Sequence, residues 1–235
     1  MPKSNRPKGN SSDWLASHGR DDKEFLKGSR KRPEELASAA RIFLEFVRGF
    51  QALGTIGQCV TVFGSARFTS KNPYYKLARQ LGKRLAQEGF TVMTGGGPGV
   101  MEAANRGAKE ARGLSIGCNI ELPAEQKLNP YLDRFVEFEH FFVRKVMLVK
   151  YSRAFVLMPG GFGTLDEAFE TLTLMQTDKI ESFPVVAMGK KFWRPLRDAI
   201  RSTLVAEGTI QASDLNLVHL TDSVEEAIDI IKRRT

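Results

Sequence analysis

At 235 residues, with 42% hydrophobic and 9% aromatic content, the chain is long enough to bury a substantial core. Its net charge of +8 suits polyanions or phosphorylated small molecules, yet Lys3, Arg6, Lys8, Lys27, Arg30, Lys31 and Arg32 crowd into one leading stretch. No run is long and apolar enough to span a membrane and the N-terminus lacks a signal-peptide core; Cys59 and Cys118, far apart in apolar runs, read as buried, reduced thiols of a cytoplasmic protein.

Residues 1–32 are polar apart from Trp14, Leu15, Phe25 and Leu26, and read as a flexible basic arm ahead of a single domain over residues 33–235. A nucleic-acid-binding arm is the sharper reading of the same charges, and a solvated tail the plainer one. From Pro33, with Glu34 and Glu35 in the first turn, apolar residues at Leu36, Ala40, Phe43, Leu44, Val47 and Phe50 predict an amphipathic helix. That helix would pack on the body of the protein or on a second subunit.

An alternation of strands and helices follows. Cys59 to Gly64 reads as a buried strand, turning at Ser65-Ala66-Arg67 into a helix from about Pro73 to Glu88. Phe90 to Thr94 is the next strand, Gly95-Gly96-Gly97-Pro98-Gly99 its turn, and Val100 to Arg112 its helix. Leu114 to Ile120 is a third strand, and a loop to about Asp133 precedes a short strand over Arg134 to Phe138. A helix from His140 to Ser152 leads into the run from Phe155 to Met158. Helix Leu165–Thr177, strand Phe183–Met188, helix Phe192–Glu207, strand Leu217–Leu220 and helix Val224–Arg233 complete the pattern. Short apolar strands separated by helices predict an α/β fold, a Rossmann-like doubly wound parallel sheet with helices on both faces. Right-handed crossovers then bring the turns after the strands to one rim, where such sheets bind ligands at the topological switch point.

The stretch from Phe155 to Glu167 carries the strongest chemical signal. An apolar strand ends in Pro159-Gly160-Gly161-Phe162-Gly163-Thr164, with Thr164 placed to cap a helix whose amides and dipole suit a phosphate. Glu167, one turn inside, has no anchoring role to play beside a phosphate and is a candidate for chemistry. The first turn lacks the G-x-G-x-x-G of a dinucleotide site, the second strand ends without a carboxylate for the ribose, and no P-loop occurs. Two separate glycine cradles remain, one with Glu102 and Asn105 nearby, the other with Thr164 and Glu167; they suit one phosphate and a polar sugar. Tight strand–helix packing would explain either cradle alone. Arg144 and Lys145, set among the apolar residues of the preceding helix, read as snorkelling cations or, beside the rim, as a clamp for phosphate or ribose.

Gly95-Gly96-Gly97-Pro98-Gly99-Val100-Met101-Glu102, Arg144-Lys145-x-Met147 and Pro159-Gly160-Gly161-Phe162-Gly163-Thr164-x-x-Glu167 resemble the Lonely Guy family over roughly Val60 to the C-terminus. Those proteins are cytokinin riboside 5'-monophosphate phosphoribohydrolases, once misnamed lysine decarboxylases. The Gly64-Ser65-Ala66-Arg67 turn, the Glu121-Leu122-Pro123-Ala124-Glu125-Gln126 loop and the N-terminal helix resemble the family's longer, second type, similar also to bacterial nucleosidases acting on purine 5'-monophosphates. The resemblance implies hydrolysis of an N-glycosidic bond, with Arg144 and Glu167 at the catalytic positions. It implies substrate binding by Ser65, Gly96, Gly97, Gly99, Met101, Glu102, Asn119, Lys145, Pro159, Gly160, Gly161, Gly163, Thr164 and Thr173, the Thr164 and Thr173 hydroxyls lying close to the phosphate. It also implies a homodimer or larger homo-oligomer. First-type members carry Met-His ahead of the Arg-Lys, whereas this chain has Phe141-Phe142-Val143, so its base recognition differs.

No residue pattern marks a lysine for a pyridoxal Schiff base, and His18, His140 and His219 are too scattered for a metal site, so neither cofactor nor metal is expected. A non-catalytic relative, binding a nucleotide or a molybdenum cofactor, would need the cradles but no carboxylate at the sugar. A single-stranded DNA module would need basic and aromatic residues along the rim, and the rim offers glycine and acidic groups instead.

Overall fold

The structure, a computed structural model, describes residues 22–26, 28, 31–121 and 127–233. Most of the arm expected over residues 1–32 lies outside the described residues, as do residues 122–126 of the long loop. The part of the arm that is described contains a single helical turn, α1 (Asp22–Phe25).

Strands β1 (Cys59–Phe63), β2 (Thr91–Thr94), β3 (Ser115–Ile120), β5 (Ala154–Leu157) and β6 (Val185–Met188) are buried at every position, so helices must cover both faces of the sheet. With β4 (Arg134–Phe138) and β7 (Val218–Thr221) they form one seven-stranded sheet in the order β4-β3-β2-β1-β5-β6-β7, parallel throughout. The chain winds outward from β1 to β4, then returns to β1's other side with β5. The switch point therefore lies between the ends of β1 and β5.

Alternation along each strand divides the core. Val60, Val62, Val92, Val156 and Val186 face α3 (Pro73–Gln87), α4 (Val100–Glu110) and α8 (Val224–Lys232). Cys59, Phe63, Met93, Phe155 and Val185 face α2 (Arg32–Leu53), α5 (Phe141–Tyr151), α6 (Phe162–Gln176) and α7 (Lys190–Ile200). Local chemistry sets several ends: Asn72 accepts from the Tyr74 amide to cap α3, and Ser223 accepts from the Glu226 amide to cap α8. The helix expected from Phe192 to Glu207 is instead α7 followed by a π-helical turn, Arg201–Val205.

The first helix corrects a sequence expectation. Its inward face carries Ser38, Glu45, Gly49 and Leu53, whereas Leu36 and Phe43 of the expected apolar face are 69% and 65% exposed. Hydrophobic periodicity finds an apolar stripe but not what covers it, and among the described residues nothing covers Leu36 and Phe43.

Helices α3 and α4 meet backbone to backbone, because a Cβ on Gly82 would run into the Ala104 carbonyl and one on Gly107 into that of Arg79. Gly82→Ala is therefore expected to lower the thermal midpoint by several degrees, an overpacking cost of about 1–3 kcal/mol, against no change for the exposed Ser202→Ala. Thermal unfolding followed by circular dichroism measures both.

Candidate functional site

Three turns meet at the C-terminal rim of the sheet, and Ser65 joins them. Its amide donates to the Pro159 carbonyl (3.0 Å), while its own carbonyl accepts from the Val100 amide (3.0 Å). Gly99 caps α4 at φ +72°, where a Cβ would collide with the Ser65 carbonyl and Ala66. Gly160 is equally constrained, since a Cβ there would strike the Thr164 side chain. At Gly161 and Gly163 an added Cβ would meet nothing within 4 Å, so the start of α6 opens onto free space. Its leading amides have no preceding helical carbonyl to bond.

Helix α6 begins earlier than the sequence suggests. Gly161 is its N-cap, and the amides of Thr164 and Leu165 donate back to the Gly161 carbonyl. Thr164 is therefore not the cap. It is a buried third residue of the helix, packed over Gly160, and Glu167 lies correspondingly deeper, in the second turn.

Arg144 of α5 ties the turns to α6. Its Nε donates to the Cys118 carbonyl at the end of β3 (2.9 Å), and Nη1 reaches Glu167 Oε1 at 3.4 Å. A Cβ at Gly95 would lie 2.8 Å from Met101 Sδ and 3.0 Å from Arg144 Nη2, so the absent side chain is what admits the guanidinium. Glu167 is only 2% exposed, and its Oε2 is buried without a hydrogen-bond partner. Burial pushes its pKa up to about 7 although Arg144 and Lys145 pull it down, while Glu170 and Asp166 add to the rise. Lys145 spans to Asp166 Oδ1 (2.8 Å) and Glu170 Oε2 (3.0 Å). Burial lowers its pKa, but these two carboxylates outweigh that and hold it raised.

The other candidates fall into two groups. Pro159, Gly160, Gly161, Gly163, Thr164, Ser65, Gly99 and Met101 belong to the joined turns. Gly96 spends its amide on Thr94 Oγ1 and its carbonyl on Asn129, and Gly97 likewise gives its carbonyl to the Asn129 side chain. Asn105 is fully buried and bonded to Thr94, Ser115 and Asn129, so this second cradle is largely an internal brace. Glu102 accepts from the Tyr75 hydroxyl (2.7 Å), and Asn119 donates to Glu137 across β3 and β4 (3.1 Å).

Thr173 is a correction. Nine residues along α6 from Thr164, it lies about 14 Å further down the axis, with its hydroxyl donated to the Phe169 carbonyl. It is not close to the glycine turn within the protomer. It lines instead an apolar cavity of about 310 Å³ between α6, α7 and β7, walled by residues such as Leu165, Ala168, Trp193 and Leu220. No sequence signal marked this cavity, because apolar residues at helical spacing look the same around a void as in a filled core. Glu167 and Thr164 are not among its walls. Among the described residues no group of three or more His, Cys, Asp or Glu is placed to hold a metal, and no helix is long and apolar enough to cross a membrane.

The raised pKa of Glu167 fixes the sign of a stability effect. Glu167 favours its proton in the folded state, so its full contribution is present below the ordinary 4.5 and is lost as pH rises through about 7. Glu167→Gln is expected to gain on the wild type by roughly 2–3 kcal/mol between about pH 5 and pH 8. Denaturant unfolding at the two pH values measures the difference.

Residues 101–231 match the family model described as "Possible lysine decarboxylase". The cytokinin riboside 5'-monophosphate phosphoribohydrolase of Rhodococcoides fascians is 27% identical over 176 residues, 74% of this chain and 88% of that protein. The pyrimidine/purine nucleotide 5'-monophosphate nucleosidase of Escherichia coli K12 is 26% identical over 145 residues, 55% of this chain but only 32% of that longer protein. Among solved structures, the molybdenum cofactor binding protein of Rippkaea orientalis superposes with a TM-score of 0.56 at 27% identity, over 75% of this chain and 96% of that one. Sheet order, glycine turns and these matches agree: the chain belongs to the "Possible lysine decarboxylase" family, the Lonely Guy family.

Proposed function

We propose that the protein is a nucleoside 5'-monophosphate phosphoribohydrolase, cleaving AMP or a cytokinin riboside monophosphate to the free base and ribose 5-phosphate. The observation that carries this reading is Glu167, a buried carboxylate with one unpartnered oxygen beside Arg144 at the switch-point rim. A binding protein gains nothing from such a group, whereas an oxocarbenium-like sugar needs a negative charge next to it.

In this account the amides at the head of α6 take the 5'-phosphate, favoured by the helix dipole. Oε2 of Glu167 accepts from the ribose hydroxyls, and its charge stabilises C1' as the C1'–N bond breaks. The electron pair of that bond leaves with the base, which takes up a proton. Water, oriented by the same carboxylate, adds its oxygen at C1' and gives up the proton that balances the one taken by the base, leaving ribose 5-phosphate and the neutral base. Arg144, anchored on the Cys118 carbonyl, pulls the Glu167 pKa down against its burial and holds the carboxylate in place. The sugar hydroxyls and the phosphate dianion also bear on the Glu167 pKa when substrate is bound. Lys145 braces α5 against α6 through Asp166 and Glu170.

Decarboxylation through a pyridoxal Schiff base fits these residues poorly, because that chemistry needs a lysine that readily gives up its proton. Lys145 is held as an ammonium by two carboxylates. The uncovered stripe of Leu36 and Phe43, with Phe162 92% exposed beside the glycine turn, supports a homodimer or larger homo-oligomer. Two free buried cysteines fit a reducing cytoplasm.

The likeness to the Rippkaea orientalis protein favours a second reading, a carrier that holds a nucleotide-like molybdenum cofactor without chemistry. One experiment separates the two. The purified chain is incubated with AMP and isopentenyladenosine monophosphate, and free base is followed by chromatography, alongside Glu167→Ala. Release by the wild type, lowered at least about a hundredfold in the variant, is the expected result. Binding without release by either protein would overturn the enzyme reading.

A further inference from the structure

Helix α5 carries Arg144, yet its N-cap, His140, supplies no side-chain cap of its own. The first helical amide, that of Phe141, and the two amides that lead into the helix are bonded by carboxylates from elsewhere in the chain. Glu45 of α2 accepts from the Glu139 amide (2.6 Å) and the His140 amide (3.1 Å) through Oε1, while its Oε2 accepts from His140 Nδ1 at 2.6 Å. Asp22 accepts from the Phe141 amide at 3.1 Å. Glu45 and His140 are 1% and 2% exposed, and the partnership with Glu45 raises the His140 pKa. Two carboxylates thus sit at the positive end of α5's dipole.

The same face of α2 grips α5 again one turn later. Gly49, four residues beyond Glu45, lies so close that a Cβ would be 2.8 Å from Met147 Cε. The Arg144 amide bonds the His140 carbonyl (3.2 Å), so Arg144 sits directly above the residue that Glu45 holds and one turn before Met147. Both grips come from residues ahead of the segment that matches the family model.

We propose that Glu45 is a positioning residue, which fixes the N-terminus of α5 and thereby the reach of Arg144 to Glu167. The proposal rests on the reading of Arg144 and Glu167 as the catalytic pair. It assigns the N-terminal helix a part in the site that its exposed apolar stripe does not suggest. An interhelical pair that merely stabilised the fold would change the unfolding temperature and leave the guanidinium where it is.

The test compares wild type, Glu45→Ala, Glu45→Gln and the exposed Glu35→Gln in the full chain, well below each protein's unfolding temperature. Base release from AMP gives kcat and KM, and the Arg144 Nε–H nuclear magnetic resonance signal, assigned by its loss in Arg144→Lys, reports the guanidinium directly. Glu45→Ala is expected to lower kcat about tenfold or more with KM held within about threefold, and to shift or broaden the Arg144 signal. Glu45→Gln, which keeps an acceptor oxygen, is expected to recover part of both, and Glu35→Gln to change neither. If Glu45→Ala does not fold, Glu45→Gln against wild type decides by the same two readouts. An unmoved Arg144 signal with unchanged kcat would overturn the proposal. A wild type that releases no base would contradict the phosphoribohydrolase reading alone, and the Arg144 signal would then decide the role of Glu45.

Discussion

The site depends on a carboxylate withdrawn from water. Glu167 is enclosed by the sheet edge and by α5, and burial outweighs the attraction of Arg144 and Lys145 in setting its acidity. Its long contact with Arg144 leaves Oε2 without a partner. A structural ion pair would close that geometry, since a half-satisfied buried charge costs stability. In the proposed function that open position on Oε2 is completed by a substrate hydroxyl.

The sheet makes the arrangement possible by bringing distant segments to one point. Ser65 and Pro159 follow β1 and β5, the strands that flank the switch point, and one backbone bond between them holds the crevice together. Glycine at positions 95, 99 and 160 then removes the Cβ atoms that would push Arg144, Ser65 and Thr164 out of place. These glycines admit neighbouring protein groups, whereas Gly161 and Gly163 face open space. The two sets look alike in a motif, and their physical tasks are opposite.

That difference marks how far the sequence could be read. Strands, helices and the glycine rim were legible because apolar runs and Gly or Pro punctuation are local signals, and every strand expected from them is present. The start of α6 was misplaced because Thr164 has the chemistry of a cap, but its packing over Gly160 is a tertiary contact. The family resemblance implies Thr173 beside the phosphate, and the helix carries it away from the turn. The inward face of α2 was missed because its contacts are a glycine and a glutamate, and Glu45 meets His140 across 95 positions of sequence. Lys145 has the sequence signature of a surface cation or a substrate clamp, and its two carboxylate partners emerge only when α5 and α6 lie side by side.

The most direct measurement is a crystal structure of Glu167→Gln with AMP, in which the missing charge preserves the substrate. The account predicts the phosphate on the amides from Gly161 to Gly163 and a ribose hydroxyl within hydrogen-bond distance of residue 167. AMP seated instead in the apolar cavity between α6 and α7, or bound with its ribose turned away from residue 167, would contradict it.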